Sequence, residues 1–491
     1  MKGKSIGMNA LLNVFKQCSN IIFPLITFPY VSRILGSESL GKYNFAYSII
    51  GYLALVAALG IPTYAVREGA KVRDDKEKLS KFACQIFTLN IIITVIAFIL
   101  FAVAILLFDK LQGYTSLIVI LSTTVLFTTL GVDWINTIYE DYVFIVVRDV
   151  IFKFIALVLM FVLVRSTKDY IIYAAITSIA ESAKGLLNFF YIRKYVRLHI
   201  VKDVEFKKHI VPILILFCNA LAITIYVNSD ITLVGIFKGD TEVGIYSTST
   251  KVYSICKSVL NAIVIVFIPR MSYLISKNTK EEYDSMLNKM LNTLVVIILP
   301  VVIGINMLST EIITILGGKE YMSGSMSLKI LSISIIFAII TSFYSNSILI
   351  PNRKDKEYFL ATLEAAVINL VLNFIFIPTL GINGAAITTL IAEVVVMIQV
   401  MRYSKELHGK INIKKSISTS IVGCFAIALV CTITKMIFSN IYFYFVLSMI
   451  VSGIVYILIQ IVLKNEVIMD ALNLVLSKVG VYKNDQFKKI S

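Results

Sequence analysis

Seven basic residues, Lys16, Arg148, Lys153, Lys184, Lys251, Lys257 and Lys329, stand inside long apolar stretches of this sequence. A basic residue at a lipid-facing helix centre costs roughly 2.5–3.5 kcal/mol, so exposing most of the seven would cost on the order of 15 kcal/mol. They must face a wet cavity or a partner. The chemistry open to them is the binding of an anion, above all a phosphate or diphosphate, which needs replacement cations at each depth when it leaves water. Lys16, Lys251 and Lys257 have no acid close by in the sequence and are read as lining such a cavity, with Lys153 beside them. Arg67 and Arg270 stand at its inner mouth, Lys16 in the inner third, Lys257 near the middle and Lys251 in the outer third. Arg148 and Lys329 lie near the ends of their stretches, where long side chains can snorkel, but Arg148 is also counted among the residues of the cation-lined cavity. Six acids share these depths: Asp133, Asp149, Glu181, Asp230, Glu364 and Glu393. Glu181 is three residues from Lys184, a spacing that allows mutual neutralisation. Glu181, Asp230, Glu364 and Glu393 are also candidates for carrying a coupling proton or sodium ion.

Other chemistry finds no support. The sequence has no Walker loop, no H-E-x-x-H, no G-x-S-x-G and no dinucleotide fingerprint. His199, His209 and His408 fall in inner loops, and the six cysteines fall within apolar stretches without metal-ligand spacing. Neither a metal nor a cofactor is expected.

The elements that must position these residues are membrane-spanning helices. The chain of 491 residues is 58% hydrophobic and only 15% charged, with a mean hydropathy of +0.86, and apolar runs recur throughout, as at 82–108, 291–308 and 441–463. About fourteen spans are expected, with no soluble domain between them. The basic start is followed by a helix too long and too polar for a cleaved signal peptide, so it should persist as the first span. Asn9, Asn13, Lys16, Gln17 and Asn20 form one polar stripe on that helix; Thr177, Glu181, Lys184 and Asn188 form another, and Ser247, Lys251, Ser254, Lys257, Ser258 and Asn261 a third. Such faces cannot look at lipid.

The formal charge of +16 raises the question of nucleic acid, and the placement of the charge answers it. With the N-terminus inside, 31 Lys and Arg lie on the inner side against 8 outside. This is the positive-inside asymmetry, with both termini cytoplasmic and an even number of spans. No nucleic-acid partner is expected; anionic lipid heads are attracted weakly.

At a constant offset of 203, Gly36 meets Gly239, Gly41 meets Gly244, Tyr43 meets Tyr246, Val56 meets Val259 and Arg67 meets Arg270. Ala174-Ala175-Ile176-Thr177 matches Ala385-Ala386-Ile387-Thr388 at an offset of 211. The order of these matches argues for duplication. The expected architecture is all-α: two pseudo-symmetric six-helix lobes at 1–208 and 209–412, two further helices at 413–466, and a cytoplasmic tail at 467–491. Repeats of six spans are parallel, which places the natural substrate site between lobes related by an axis along the membrane normal.

Motifs spread over nearly the whole chain carry a family resemblance: Arg33-Ile-Leu-Gly36 to Gly41-Lys-Tyr43; Gly60-Ile-Pro-Thr-Tyr-Ala-Val-Arg67-Glu68; Gly131-Val-Asp-Trp134 followed by Glu140, Arg148 and Lys153; and Leu380-Gly-Ile-Asn-Gly-Ala-Ala386. In their order, and in the layout of six, six and two spans, the chain resembles the polysaccharide-unit flippases of the multidrug/oligosaccharidyl-lipid/polysaccharide exporter superfamily. It departs from their pattern at Thr137-Ile138. The resemblance implies a bacterial inner-membrane transporter, not an enzyme, that moves undecaprenyl-diphosphate-linked oligosaccharide from the cytoplasmic to the outer leaflet by alternating access. It also implies membrane lipid as surroundings, a proton or sodium ion as coupling ion, and a polysaccharide polymerase as partner. Two other functions are open to the sequence: an ion-coupled drug exporter of the same superfamily, and a membrane glycosyltransferase or polymerase. Short, basic inner loops speak against the second.

Overall fold

Backbone groups in hydrocarbon must be satisfied within their own segment, which leaves helices as the economical way for an apolar chain to cross a bilayer. The computed structural model describes residues 6–277 and 279–478, with side chains for residues 15–218, 220–277 and 279–473. Among the described residues every regular element is a helix. The expectations placed on Asn9 and Asn13, and on the tail from residue 479 onward, lie outside the described side chains.

Among the described residues ten helices are long and apolar enough to span a membrane. Two helical stretches are far too long for one crossing: α1 (Ile6–Ala58) has 53 residues and α14 (Asp355–Ser404) has 50. At 1.5 Å per residue each would reach about 75–80 Å, over twice the hydrocarbon thickness. Both are broken by a glycine, Gly36 (φ 72°, ψ 172°) and Gly381 (φ 60°, ψ −139°). The other elements are α2 (Ile61–Lys71), α3 (Lys76–Leu107), α4 (Asp109–Gln112), α5 (Thr115–Gly131), α6 (Trp134–Ile138), α7 (Tyr142–Leu163), α8 (Tyr170–Tyr191), α9 (Phe206–Lys238), α10 (Asp240–Ser276), α11 (Lys280–Met307), α12 (Ser309–Gly317), α13 (Ser325–Tyr344), α15 (Lys414–Ile437), α16 (Ile441–Val462) and α17 (Glu466–Lys478). The pattern on α3 shows what a spanning helix does here: Leu79, Ile86 and Leu89 are buried, while Ile96, Ile99, Leu100 and Val103 are exposed as a lipid-facing stripe.

The chain divides into two compact units. The first comprises Met1–Thr248, Leu316–Met322 and Leu370–Ala385. It holds a core of Ile61, Tyr64, Leu79, Ile86, Trp134 and Ile213. Its helices approach closely through glycines, as in membrane bundles generally: a Cβ on Gly185 of α8 would stand 2.1 Å from the Phe127 carbonyl oxygen of α5. The second comprises Ser249–Ile315, Ser323–Asn369 and Ala386–Ser491. There Tyr456 of α16 donates to Val296 O of α11 at 2.7 Å, and Lys289 of α11 meets Asp470 of α17 at 2.9 Å.

The repeat has a local signature inside the first unit. Gly36 and its counterpart Gly239 (φ 90°, ψ −177°) share one backbone conformation that only glycine adopts readily, and each is followed by a helix. A Cβ on Gly41 would stand 1.7 Å from Asp240 O, and one on Gly244 1.9 Å from Ser37 O. Ser37 and Asp240 are themselves related by the offset of 203, so the two contacts exchange with each other, as a local two-fold axis requires. Gly41→Ala is therefore expected to destabilise the protein by about 1–3 kcal/mol through overpacking. Gly304→Ala meets nothing within 4 Å and should leave stability unchanged or slightly raised. Melting of the two detergent-solubilised variants checks this, and equal melting temperatures would contradict it.

Candidate functional site

The first charge cluster lies within the first unit and is assembled from four stretches of chain. A left-handed residue, Val132 (φ 44°), ends α5 and turns Asp133 back; the turn is pinned by Asn188, which donates to Gly131 O and accepts from Asn136 at 2.7 Å. Arg148 of α7, only 4% exposed, donates one nitrogen to each oxygen of Asp133, both at 2.8 Å, and a third contact to Asp149 at 3.0 Å. Its guanidinium also lies over the Phe144 ring at 5.8 Å. Lys16 of α1 stands 3.6 Å from Asp149. Lys153, one helical turn beyond Asp149, donates to Asn20 of α1 and lies within electrostatic reach of Lys16, Asp149, Glu181 and Lys184. On α8, Lys184 meets Glu181 at 2.6 Å, with the lysine buried and the carboxylate half in the open. Four bases thus share this region with three acids.

Arg148 does not snorkel. The fork of two hydrogen bonds to Asp133, folded against it across the turn, replaces the water it would otherwise seek. Lys16 is not without an acid either, because Asp149 comes to it from α7, 133 positions away in the sequence.

The second cluster lies within the second unit. Lys257 of α10 meets Glu393 of α14 at 2.6 Å, and Tyr253, one turn before Lys257, donates to the same carboxylate oxygen at 2.7 Å. Glu393 is 3% exposed. Lys257 accordingly has an acid partner that linear spacing did not show, and Tyr253 is a member that sequence reasoning missed; its position four residues before Lys257 was the available signal. Lys251, half-buried, has no hydrogen bond or ion pair among the described residues. Glu364 accepts from Gln399 at 2.6 Å, across the break in α14. Lys329 is half-buried and Arg270 is exposed, its guanidinium 5.7 Å from the Tyr273 ring.

The remaining candidates sit apart from these clusters. Arg67 is exposed and pairs with its neighbour Glu68 at 3.0 Å. Asp230, buried in the first unit, accepts from Tyr246 at 3.0 Å and from Asn373 at 2.7 Å. Two further ion pairs were not singled out from the sequence. Glu311, 1% exposed, holds Lys435 at 2.5 Å and Tyr444 at 2.8 Å. Asp141 gathers Tyr191, Tyr195 and Lys194 at 2.6, 2.9 and 3.1 Å. Burial alone would pull the Lys194 ammonium down, but these hydrogen bonds and the Asp141 charge outweigh it and hold the group above its ordinary range.

Each unit also contains a cavity. In the first unit one of 270 Å³, with mostly apolar walls, also touches Asn90, Thr124, Thr128 and Asp133. In the second an apolar one of 560 Å³ runs between α11, α15 and α16, lined by Pro300, Gly304, Ile427, Cys431 and Tyr456. Among the described residues no group of three or more His, Cys, Asp or Glu side chains is arranged to hold a metal.

Known proteins resemble this chain in sequence and in overall helical fold. The chain is 22% identical over 403 residues to the "Putative O-antigen transporter" of Escherichia coli K12, covering 80% of this chain and 95% of that one. It is 25% identical over 389 residues to the "Capsular polysaccharide biosynthesis protein CapF" of Staphylococcus aureus, covering 77% and 93%. Its fold matches the solved structure "Lipid II flippase MurJ, inward closed conformation" with a TM-score of 0.74 at 18% identity, over 94% of this chain and 99% of that one. Residues 6–275, more than half of the sequence, match the family model described as "Polysaccharide biosynthesis protein". With Gly36, Gly41, Arg67, Arg148 and Lys257 all inside the matched segment, the chain belongs to the polysaccharide biosynthesis protein family.

Proposed function

We propose that this protein carries lipid-linked oligosaccharide, held through an undecaprenyl diphosphate, from the cytoplasmic to the outer leaflet of a bacterial inner membrane. The observation that carries the reading is the first charge cluster: four bases with three acids, at membrane depth, in a protein of this family. A surplus of positive charge in so apolar a setting is costly unless an anion completes it, and a diphosphate supplies that charge. The relatives named for O-antigen transport and capsular polysaccharide biosynthesis support a glycan as the rest of the cargo. The cargo crosses without covalent change, so the protein acts as a transporter rather than an enzyme.

Transport proceeds by alternating access of lobes 1–208 and 209–412, with 413–466 as two added helices and 467–491 as the tail. The chain crosses fourteen times: the ten long apolar helices, a second crossing from each of the two that a glycine breaks, and α7 and α8. Both termini are cytoplasmic, as the charge asymmetry requires. Lys16, Arg148 and Lys153 meet the diphosphate in one step and Lys251 and Lys257 in another, with Arg67 and Arg270 at the inner mouth. The apolar cavity beside α15 and α16 suits an isoprenoid chain. Asp230, Glu364 and Glu393 are the groups through which a proton or sodium ion couples to the cycle.

Deletion of the gene tests the reading. Lipid-linked sugar units are expected to accumulate on the cytoplasmic side of the membrane, with loss of the surface glycan. Normal glycan export together with new drug sensitivity would contradict it and favour a drug exporter.

A further inference from the structure

We propose that Tyr47 and Tyr173, with Tyr43 between them, form a stacking platform for a sugar of the cargo, on the outer side of the cation cluster. The inference deepens the functional reading above and rests on it. From Ser39 to Ile61 the structure leaves one residue exposed, and it is Tyr47, at 58%. A helix face turned to lipid exposes a row of aliphatic side chains, as α3 does; a single accessible ring in a buried segment borders a cavity instead. Tyr47 stacks on Tyr43 at 5.9 Å, with the planes 20° apart, and Tyr43 packs against Tyr173 of α8 at 4.5 Å. The Tyr43 hydroxyl points to Thr177. Glu181 lies one turn beyond Thr177, close enough to act electrostatically on both Tyr43 and Tyr47, with its carboxylate accessible.

Tyr173, Thr177, Glu181 and Lys184 fall at i, i+4, i+8 and i+11, on one face of α8. The face therefore changes character along its length, from aromatic through hydroxyl and carboxylate to ammonium, over about 16 Å. A glycosyl diphosphate has the same order of chemistry. The C–H face of a pyranose carries weak positive charge and meets the negative face of an aromatic ring, its hydroxyls donate to a carboxylate, and its diphosphate seeks cations. Oriented this way, the sugar leads toward the outer side and the diphosphate follows at Lys184, Lys153 and Arg148.

The platform departs from the repeat. The offset of 203 takes Tyr47 to Thr250, and the offset of 211 takes Tyr173 to Gly384. Only Tyr43 has an aromatic counterpart, Tyr246, which is fully buried with its hydroxyl on Asp230. A pair of rings present in one half alone is not a requirement of the duplicated architecture.

The test measures equilibrium binding of two probes to purified protein: undecaprenyl diphosphate, and the same lipid bearing one N-acetylglucosamine. For Tyr47→Ala, binding of the sugar-bearing probe is expected to weaken about three- to tenfold, with binding of the bare diphosphate unchanged. Tyr47→Phe keeps the ring face and should bind both probes as the parent does. Tyr173→Ala should repeat the selective loss. Equal weakening of both probes, no weakening of either, or a Tyr47→Phe variant as poor as Tyr47→Ala would overturn the platform while leaving the transporter reading in place. A parent protein that binds neither probe would overturn the transporter reading itself, and the platform with it.

Discussion

Replacing Arg148 by alanine is expected to remove most of the folded protein from the membrane. The guanidinium is 4% exposed and is the shared partner of Asp133 and Asp149. Removing one side of a buried ion pair leaves the other side uncompensated, at a cost of about 3–5 kcal/mol. Asp133 is 53% exposed in its side chain and recovers part of this through water, whereas Asp149, at 13%, does not. Total stability is commonly about 5–15 kcal/mol, so such a loss is visible as protein abundance. Arg148→Lys keeps the charge but not the fork, and should fall between parent and alanine. Arg148→Ala combined with Asp149→Asn should recover abundance, because the stranded carboxylate is then neutral. Fluorescence-detected size exclusion of the variants reads all of this. An Arg148→Ala variant of parental abundance would show that the cluster is solvated and that its charges are independent.

The second large effect concerns Lys257 and Glu393, where structure and transport can be separated. Lys257→Ala strands Glu393, which is 3% exposed, and should lower abundance; the penalty is moderated because the lysine side chain itself is 35% exposed. Lys257→Met with Glu393→Gln removes both charges and keeps the volumes, and abundance should return. Export should not return. If Lys257 meets the diphosphate, the neutral pair leaves the anion without its cation at that depth, and the rate should fall at least about tenfold, a barrier of about 1.4 kcal/mol. A neutral pair that exports at the parental rate would make Lys257 and Glu393 a structural pair alone.

Much of the fold can be read from residue types because the membrane allows few solutions. Apolar runs of spanning length fix helices, and the helical spacing of Asn, Ser and Lys on them fixes which face is inward. Gly36 and Gly239 were legible as a repeat, but not as one shared backbone conformation, since glycine also occurs at close crossings such as Gly185. Some members of the two charge clusters were legible in the same way. Lys16, Lys153 and Lys257 stand out because their cost in lipid is local and large. Their partners were not legible: Asp149 reaches Lys16 from 133 residues away, and Glu393 reaches Lys257 from 136. Such pairings follow from helix packing, which no linear spacing encodes. Glu311 and Lys435 stayed hidden for the same reason, each looking like an ordinary end of its helix. Arg148 looked like a snorkelling residue because depth along a helix is readable and the turn that returns Asp133 to it is not.

Movement of a diphosphate-linked glycan across the bilayer is measured most directly in vesicles. Purified protein is reconstituted with undecaprenyl diphosphate bearing N-acetylglucosamine, a galactosyltransferase is added outside only, and the fraction of probe galactosylated is followed in time. With the parent protein the whole probe pool should become available to the enzyme, and with the Lys257→Met, Glu393→Gln variant the inner-leaflet half should follow at least about tenfold more slowly. Parent vesicles in which the inner-leaflet half stays as inaccessible as in protein-free vesicles would contradict the account.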